Sequence, residues 1–177
     1  MKKIVSLMLM LVIAITFGCR QKKEEKSQIN YAPASAPADM LMQIDKLQQE
    51  AKMAPGNASA WTRLGDALMD SQRFAEAIDA YDKALALDPK NVNVLVDQGT
   101  CYRGAGKFDK AVEQYRKALK IDPKFPNGHR NLAVVLSYDL HNRKEGIKEF
   151  QKYLELAPNA PDAETIRQTV RDLSAMK

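Results

Sequence analysis

The chain has 177 residues, a length that fits a single compact domain. Its apolar share of 45% and its charged share of 28% are ordinary for a soluble protein. The formal net charge is only +5, and basic residues are interleaved with acidic ones, which is typical of solvated helix faces. We therefore expect no nucleic-acid partner.

The N-terminus has the pattern of an export signal. Lys2 and Lys3 precede an uncharged, mostly apolar run over residues 4–18. As a helix, this run would be about 22 Å long, shorter than the ~30 Å hydrocarbon core of a membrane. It therefore predicts the apolar region of a signal peptide rather than a membrane span, with residues 1–18 removed on export.

The end of this run resembles the lipobox of bacterial lipoproteins. Gly18 precedes Cys19 as in that motif, but Thr16 stands where an aliphatic residue is usual. The resemblance implies that the Cys19 sulfur receives a diacylglyceryl group and that Cys19 becomes the new N-terminus. Arg20 stands where some families have an acidic retention signal, which implies the outer membrane, facing the periplasm. The alternatives are a plain secretory signal and an uncleaved membrane anchor.

A linker and a half-repeat follow. Residues 19–37 lack apolar periodicity and contain Pro33 and Pro37, so they predict a flexible linker after the acylated cysteine. Residues 38–57 predict a capping half-repeat, with Asp39 as the N-cap of its helix. The apolar stripe of this helix consists of Met40, Leu41, Ile44, Leu47 and Ala51. We expect the helix to cover one open end of a repeat array.

Residues 58–91 and 92–125 are two copies of one pattern with a period of 34 residues. In each copy, apolar residues recur at i, i+3, i+4 and i+7 in two successive stretches, so each copy predicts two amphipathic helices. The matching positions are Trp61, Leu64, Gly65, Leu68, Ala77, Tyr81, Ala84 and Pro89, and then Leu95, Gln98, Gly99, Tyr102, Ala111, Tyr115, Ala118 and Pro123. This pattern resembles the tetratricopeptide repeat (TPR), which implies an all-α, right-handed solenoid of antiparallel helix pairs.

A weaker third copy covers residues 126–159. His129 occupies the position of Trp61, and the stretch from His129 to Pro158 is one residue longer than its counterparts. We place the inserted residue in the turn around residues 139–142. Residues 160–177 predict a closing helix with a polar outer face. The expected architecture is three repeats with an N-terminal and a C-terminal capping helix.

The sequence has no pattern that indicates an active site. It lacks HExxH, a glycine-rich phosphate loop and GxSxG, and His129 and His141 have no metal-ligand partner at a useful spacing. We expect His129 to pack in the core and His141 to be solvated. Asp66 and Asp70 would suit the acid/base pair of an envelope hydrolase, but a charged binding face fits them better. The prediction is a non-enzyme with no cofactor, no metal and no small-molecule substrate.

Cys101 is left without an intramolecular partner if Cys19 is acylated. It is either a small buried residue of the second repeat, which we favour, or the site of an intermolecular disulfide.

The TPR resemblance implies a binding groove on the concave face, formed mainly by the first helix of each repeat. The residues that it assigns to this groove are Arg63, Asp66, Asp70, Asn93, Asp97, Thr100, Arg103, Asn127, Arg130, Asn131 and Tyr138. Amides and mixed charges suit an extended or helical peptide of another protein. Chaperone-binding members hold a C-terminal carboxylate with basic and asparagine side chains. Because Thr62, Asp66 and Asp97 occupy those positions here, we expect a different ligand.

The predicted function is therefore a non-catalytic adaptor that is lipid-anchored in the bacterial envelope. The resemblance implies support for the assembly of an envelope complex, of the pilus, secretin or outer-membrane type. The alternative is an inner-membrane-anchored periplasmic TPR protein that assists c-type cytochrome maturation or the assembly of another secreted chain.

Overall fold

The computed structural model describes residues 38–176. The predicted signal peptide, the lipidation site at Cys19 and the whole of the predicted linker lie outside the described residues. Within the described range the chain forms eight α-helices and no strand, which confirms the predicted all-α solenoid. The helices are α1 (Ala38–Met53), α2 (Ala58–Asp70), α3 (Phe74–Leu87), α4 (Val92–Gly104), α5 (Phe108–Ile121), α6 (Pro126–Val134), α7 (Arg143–Leu156) and α8 (Ala163–Ala175).

Side-chain caps mark the start of several helices. The side chain of Asn57 accepts a hydrogen bond from the backbone N–H of Ala60 at the start of α2. At the start of α4, the side chain of Asn91 accepts one from the backbone N–H of Val94. Pro126 begins α6, where its missing N–H costs no helical hydrogen bond. The predicted N-cap of α1 is wrong. Because α1 already includes Ala38, Asp39 lies within its first turn, where an acidic side chain still favours the helix.

The helices pack in sequential pairs and form two layers. The pairs are α2 with α3, α4 with α5, and α6 with α7, while α1 covers α2 and α8 covers α7. The first helices of the pairs also contact one another, α2 with α4 and α4 with α6, whereas the second helices lie farther apart. The array therefore curves, with α2, α4 and α6 on its concave side.

Glycines allow the two helices of a pair to approach closely. A Cβ atom built on Gly65 of α2 would lie 2.5 Å from Cε1 of Tyr81, and one built on Gly99 of α4 would lie 2.5 Å from Cε1 of Tyr115. Each tyrosine ring thus occupies the space that a side chain on the facing helix would need. Both rings are almost fully buried, so these contacts fix the spacing inside the first two pairs.

The extra residue of the third repeat lies in a helix, which corrects the predicted position in the turn. The last turn of the first helix is π-helical over Val135–Asp139, and the N–H of Leu140 donates to the carbonyl oxygen of Val135. The turn itself keeps its length. Its left-handed residue, His141, has φ 55° and corresponds to Gln72 with φ 59° in the first repeat.

Candidate functional site

Five of the predicted groove residues converge on one open cleft between α4 and α6. Its volume is about 260 Å³. The five residues are Asn93, Asp97, Asn127, Arg130 and Asn131. Because α4 and α6 are neighbours in the concave layer, positions that lie 30 or more residues apart in the sequence face the same space.

The cleft is completed by two apolar residues, Val96 and Phe125, which are not among the predicted groove residues. Val96 is 4% exposed, and Phe125 is the residue that precedes α6. The repeat register contained a signal for Val96, since it occupies the position of Thr62 in the first repeat and of Arg130 in the third. Both residues are apolar, and Phe125 precedes its helix, so a pattern of polar side chains on the first helices does not include them.

The acidic residues of the groove interact electrostatically across α2 and α4. Burial raises the pKa of Asp97 to about 6, and the negative charges of Asp66 and Asp70 add to this effect. Burial also raises the pKa of Asp66, against a lowering by the hydrogen bond from Tyr81, and the charge of Asp70 contributes further. In the part of the chain that the structure describes, none of the three carboxylates has an ion-pair partner within 4.0 Å. The N-terminal half of the groove is therefore negative.

The three groove arginines, in contrast, are all paired with acids from neighbouring elements. Each pair joins the groove to an element beside it, and the pairs are Arg63 with Glu50 (3.3 Å), Arg103 with Asp139 (2.5 Å) and Arg130 with Asp162 (2.6 Å). These cations lie outside hydrogen-bond range of the acidic residues on α2 and α4 in residues 38–176. The pairing reduces the positive potential of the groove without reducing its negative potential.

The remaining groove residues lie outside the cleft. Thr100 is engaged inside the repeat, since its hydroxyl donates to the carbonyl oxygen of Val96 (3.1 Å) and lies 3.2 Å from the hydroxyl oxygen of Tyr115. Tyr138 lies in the π-helical turn and is half exposed. Asp70 and Arg63 are exposed at the α2 side of the array. The cleft thus brings together five of the eleven predicted residues, and the other six lie outside it.

Comparison with known proteins identifies the repeat. Models of the family described as "Tetratricopeptide repeat" match residues 57–124 and residues 96–161, which together extend from residue 57 to residue 161. Residues 57–161 of this chain are tetratricopeptide repeats. A curated relative, "Small glutamine-rich tetratricopeptide repeat-containing protein 2" of Mycosarcoma maydis, is 44% identical over 46 residues. That match covers 26% of this chain and only 13% of the relative.

Solved TPR structures have the same fold. The crystal structure of MamA superposes with a TM-score of 0.63 at 28% identity, covering 67% of this chain and 69% of that one. The first TPR domain of Spaghetti (RPAP3), solved with a bound HSP90 peptide SRMEEVD, superposes with a TM-score of 0.62 at 22% identity, covering 67% and 94%. At 22% identity, the second likeness concerns the fold alone.

His129, His141 and Cys101 are not among the residues that line this cleft. His129 is buried, with Nδ1 2.6 Å from an oxygen of Glu149 and Nε2 2.9 Å from the carbonyl oxygen of Pro123. This confirms the predicted packing role of His129. Cys101 is 0% exposed, as we favoured, and burial followed by the charges of Asp97 and Asp66 raises the pKa of its thiol to about 12.

Residues 38–176 contain no group of three or more His, Cys, Asp or Glu side chains placed to hold a metal ion. In the same range, each helix is too short or too polar to cross a membrane.

Proposed function

We propose that this protein is a non-catalytic adaptor that binds an extended segment of another protein in its concave groove. The observation that carries the proposal is the convergence of Asn93, Asp97, Asn127, Arg130 and Asn131 on one cleft between α4 and α6. An asparagine side chain both donates and accepts hydrogen bonds, so three of them can pair with the N–H and C=O groups of a peptide backbone. The open form of the cleft suits a ligand that enters from the side and continues along the groove.

The chemistry of the groove differs from that of an acceptor for acidic tails. The HSP90 peptide in the Spaghetti (RPAP3) structure, SRMEEVD, contains three acidic residues. Here the N-terminal half of the groove is negative because of Asp66, Asp70 and Asp97. In addition, the positions where chaperone-binding TPR domains have basic or asparagine side chains are occupied by Thr62 and Asp66. Like charges at short range disfavour binding, so we expect this protein not to take acidic C-terminal tails.

Site-specific photocrosslinking in the native host tests the groove. A benzophenone amino acid replaces Asn93 or Asn127 in the cleft, and in the matched control it replaces Glu113, an exposed residue of α5 in the outer layer. We expect both cleft positions to crosslink to the same protein, identified by mass spectrometry, and the control position not to do so. Equal crosslinking from Glu113, or different products from the two cleft positions, would contradict the proposal.

We further propose that the adaptor is lipid-anchored through Cys19. The support is the uncharged run over residues 4–18, which ends in Gly18 directly before Cys19. Two or three acyl chains would hold the protein on a membrane durably, at about 0.8 kcal/mol for each buried CH₂ group. The intact mass of protein extracted from host membranes, compared with a Cys19→Ala variant, tests this. A mass of residues 19–177 plus acyl chains supports the anchor, whereas a mass of residues 1–177 supports the uncleaved inner-membrane alternative.

We place the anchored protein in the outer membrane, facing the periplasm, where it supports the assembly of an envelope complex. Arg20, in place of an acidic residue after Cys19, is the feature that favours the outer membrane. Density-gradient separation of the two membranes gives the location. An Arg20→Asp variant is expected to move to the inner membrane if position 20 carries the sorting information, and an unchanged distribution would contradict that role.

A further inference from the structure

We propose that the partner segment carries a lysine or arginine side chain that binds Asp97 in the cleft between α4 and α6. This inference deepens the proposed function and rests on it. It specifies the charge and the register of the ligand, which the TPR fold does not determine.

The composition of the cleft wall supports a long basic side chain. Phe125 is the partly exposed apolar residue of this wall, and Asp97 lies beside the buried Val96 on the same turn of α4. Lysine and arginine have apolar stems and charged ends, so they can cover apolar surface while the charged end binds a carboxylate. Asn93 and Asn127 remain available to the backbone on either side of that residue. The cleft thus offers one place for a cation beside places for a peptide backbone.

The charges around Asp97 also favour a cation from outside the chain. Asp66 and Asp70 of α2 add negative potential, and Tyr81 of α3 contributes a neutral phenol. Arg130, the arginine of α6 that lines the cleft, donates its Nε–H to Asp162 across 2.6 Å. In the described residues, Asp97 accordingly has no cation within ion-pair distance. A ligand lysine or arginine would supply the missing positive charge in a partly desolvated place, where a charge pair is stronger than at an open surface.

Selection from a random heptapeptide phage library tests the inference without knowledge of the natural partner. The full chain with Cys19→Ala serves as bait, beside the same chain with Asp97→Asn and a matched control with Asp109→Asn on the outer helix α5. We expect lysine or arginine to be enriched at one register position with the wild-type and Asp109→Asn baits. With the Asp97→Asn bait this enrichment should disappear.

Two outcomes separate this inference from the proposed function. Peptides that bind through Asn93 and Asn127 but show no basic enrichment would overturn the inference and leave the proposed function standing. The failure to select any peptide, or peptides whose binding is indifferent to Asn93→Ala and Asn127→Ala, would contradict both.

The pH dependence of binding gives a second readout that a purely structural role of Asp97 would not produce. With a pKa of about 6, Asp97 is almost fully ionised at pH 7.5 and about one-tenth ionised at pH 5. A selected lysine peptide, followed by fluorescence polarisation, should therefore bind about tenfold more weakly at pH 5. The Asp97→Asn variant should bind it weakly at both values of pH. A wild-type affinity that does not change between pH 7.5 and pH 5 would overturn the inference.

Discussion

Tyr81 donates its hydroxyl hydrogen to Oδ1 of Asp66 across 2.8 Å, which links the outer helix α3 to a carboxylate on the concave helix α2. The second repeat has a related contact, with 3.2 Å between the hydroxyl oxygens of Tyr115 and Thr100. In both repeats, a buried tyrosine ring that separates the paired helices also positions a polar side chain on the concave face.

The third repeat has lost both partners of this contact together. The residues at the equivalent positions are Phe150 and Val134, once the extra residue of the π-helical turn is taken into account. A phenol facing a valine would have left a buried hydroxyl without a partner, which is costly. The only tyrosine of α7, Tyr153, instead donates its hydroxyl hydrogen to Asp162 beyond the end of that helix. The paired change therefore avoids an unsatisfied hydroxyl and gives α7 a polar contact to the C-terminal cap.

Tyr81→Phe should destabilise the protein more than Tyr115→Phe does. The first change removes a hydrogen bond to a carboxylate, worth about 1.5–3 kcal/mol, whereas the second removes one between neutral hydroxyls, worth about 0.5–1.5 kcal/mol. The ring packing is unchanged in both variants. Urea unfolding measured by circular dichroism gives the two free energies of unfolding. A loss for Tyr115→Phe equal to or larger than that for Tyr81→Phe would contradict the assigned roles.

Gly65→Ala should be among the most damaging single-methyl substitutions in this chain. The added Cβ would lie 2.5 Å from Cε1 of Tyr81, a ring with no room to move because it is fully buried. Overpacking of this kind costs about 1–3 kcal/mol. Gly56→Ala is the matched control, since a Cβ there meets nothing within 4 Å. Thermal melts should show a lowered midpoint for Gly65→Ala and little change for Gly56→Ala. Equal midpoints would show that the helices can separate at low cost.

The repeat architecture was predictable from the sequence because the same packing is built twice. Gly65 and Tyr81 contact each other, and their counterparts Gly99 and Tyr115 do the same, so the spacing of the contact partners appears directly as a period in the sequence. Interhelical packing within a repeat depends on residues that are close along the chain. Local periodicity is therefore sufficient to predict it.

The position of the inserted residue was not predictable in the same way. The sequence shows that the third repeat has one residue more, but the backbone hydrogen bonds decide whether a turn or a helix contains it. Here the N–H of Leu140 donates to the carbonyl oxygen of Val135, five residues earlier, so the π-helical turn contains the extra residue. Likewise, the pairing of Arg103 with Asp139 joins residues 36 positions apart. Such contacts depend on how successive repeats are stacked, which sequence spacing alone does not specify.

Cys101 should be nearly unreactive in the folded protein. Its side chain is fully buried, and burial together with the charges of Asp97 and Asp66 raises the pKa of the thiol to about 12, so very little thiolate is present at neutral pH. A Cys19→Ala variant treated with Ellman's reagent at pH 7.5 should release thionitrobenzoate only slowly. The same variant in 6 M guanidinium chloride should react at once. Rapid labelling without denaturant would contradict the burial of Cys101. It would then favour the alternative role of Cys101 as the site of an intermolecular disulfide.

Asp97→Asn should stabilise the protein at neutral pH, because the ionised carboxylate of Asp97 is partly buried beside the negative charges of Asp66 and Asp70. In the folded protein its pKa is about 6, above the ordinary value of 3.8, since burial and the charges of Asp66 and Asp70 disfavour ionisation. Because the folded carboxyl holds its proton more tightly than the unfolded one, the protein loses stability as the pH rises from about 4 to about 6.

Solvent still reaches the side chain of Asp97, so the expected gain in the free energy of unfolding for Asp97→Asn at pH 7.5 is about 1–2 kcal/mol. Urea unfolding at a series of pH values should show that gain shrinking as the pH falls from 6 to 4. A variant that is less stable than wild type at pH 7.5 would mean that Asp97 supports the fold, and the binding role assigned to it would lose this support.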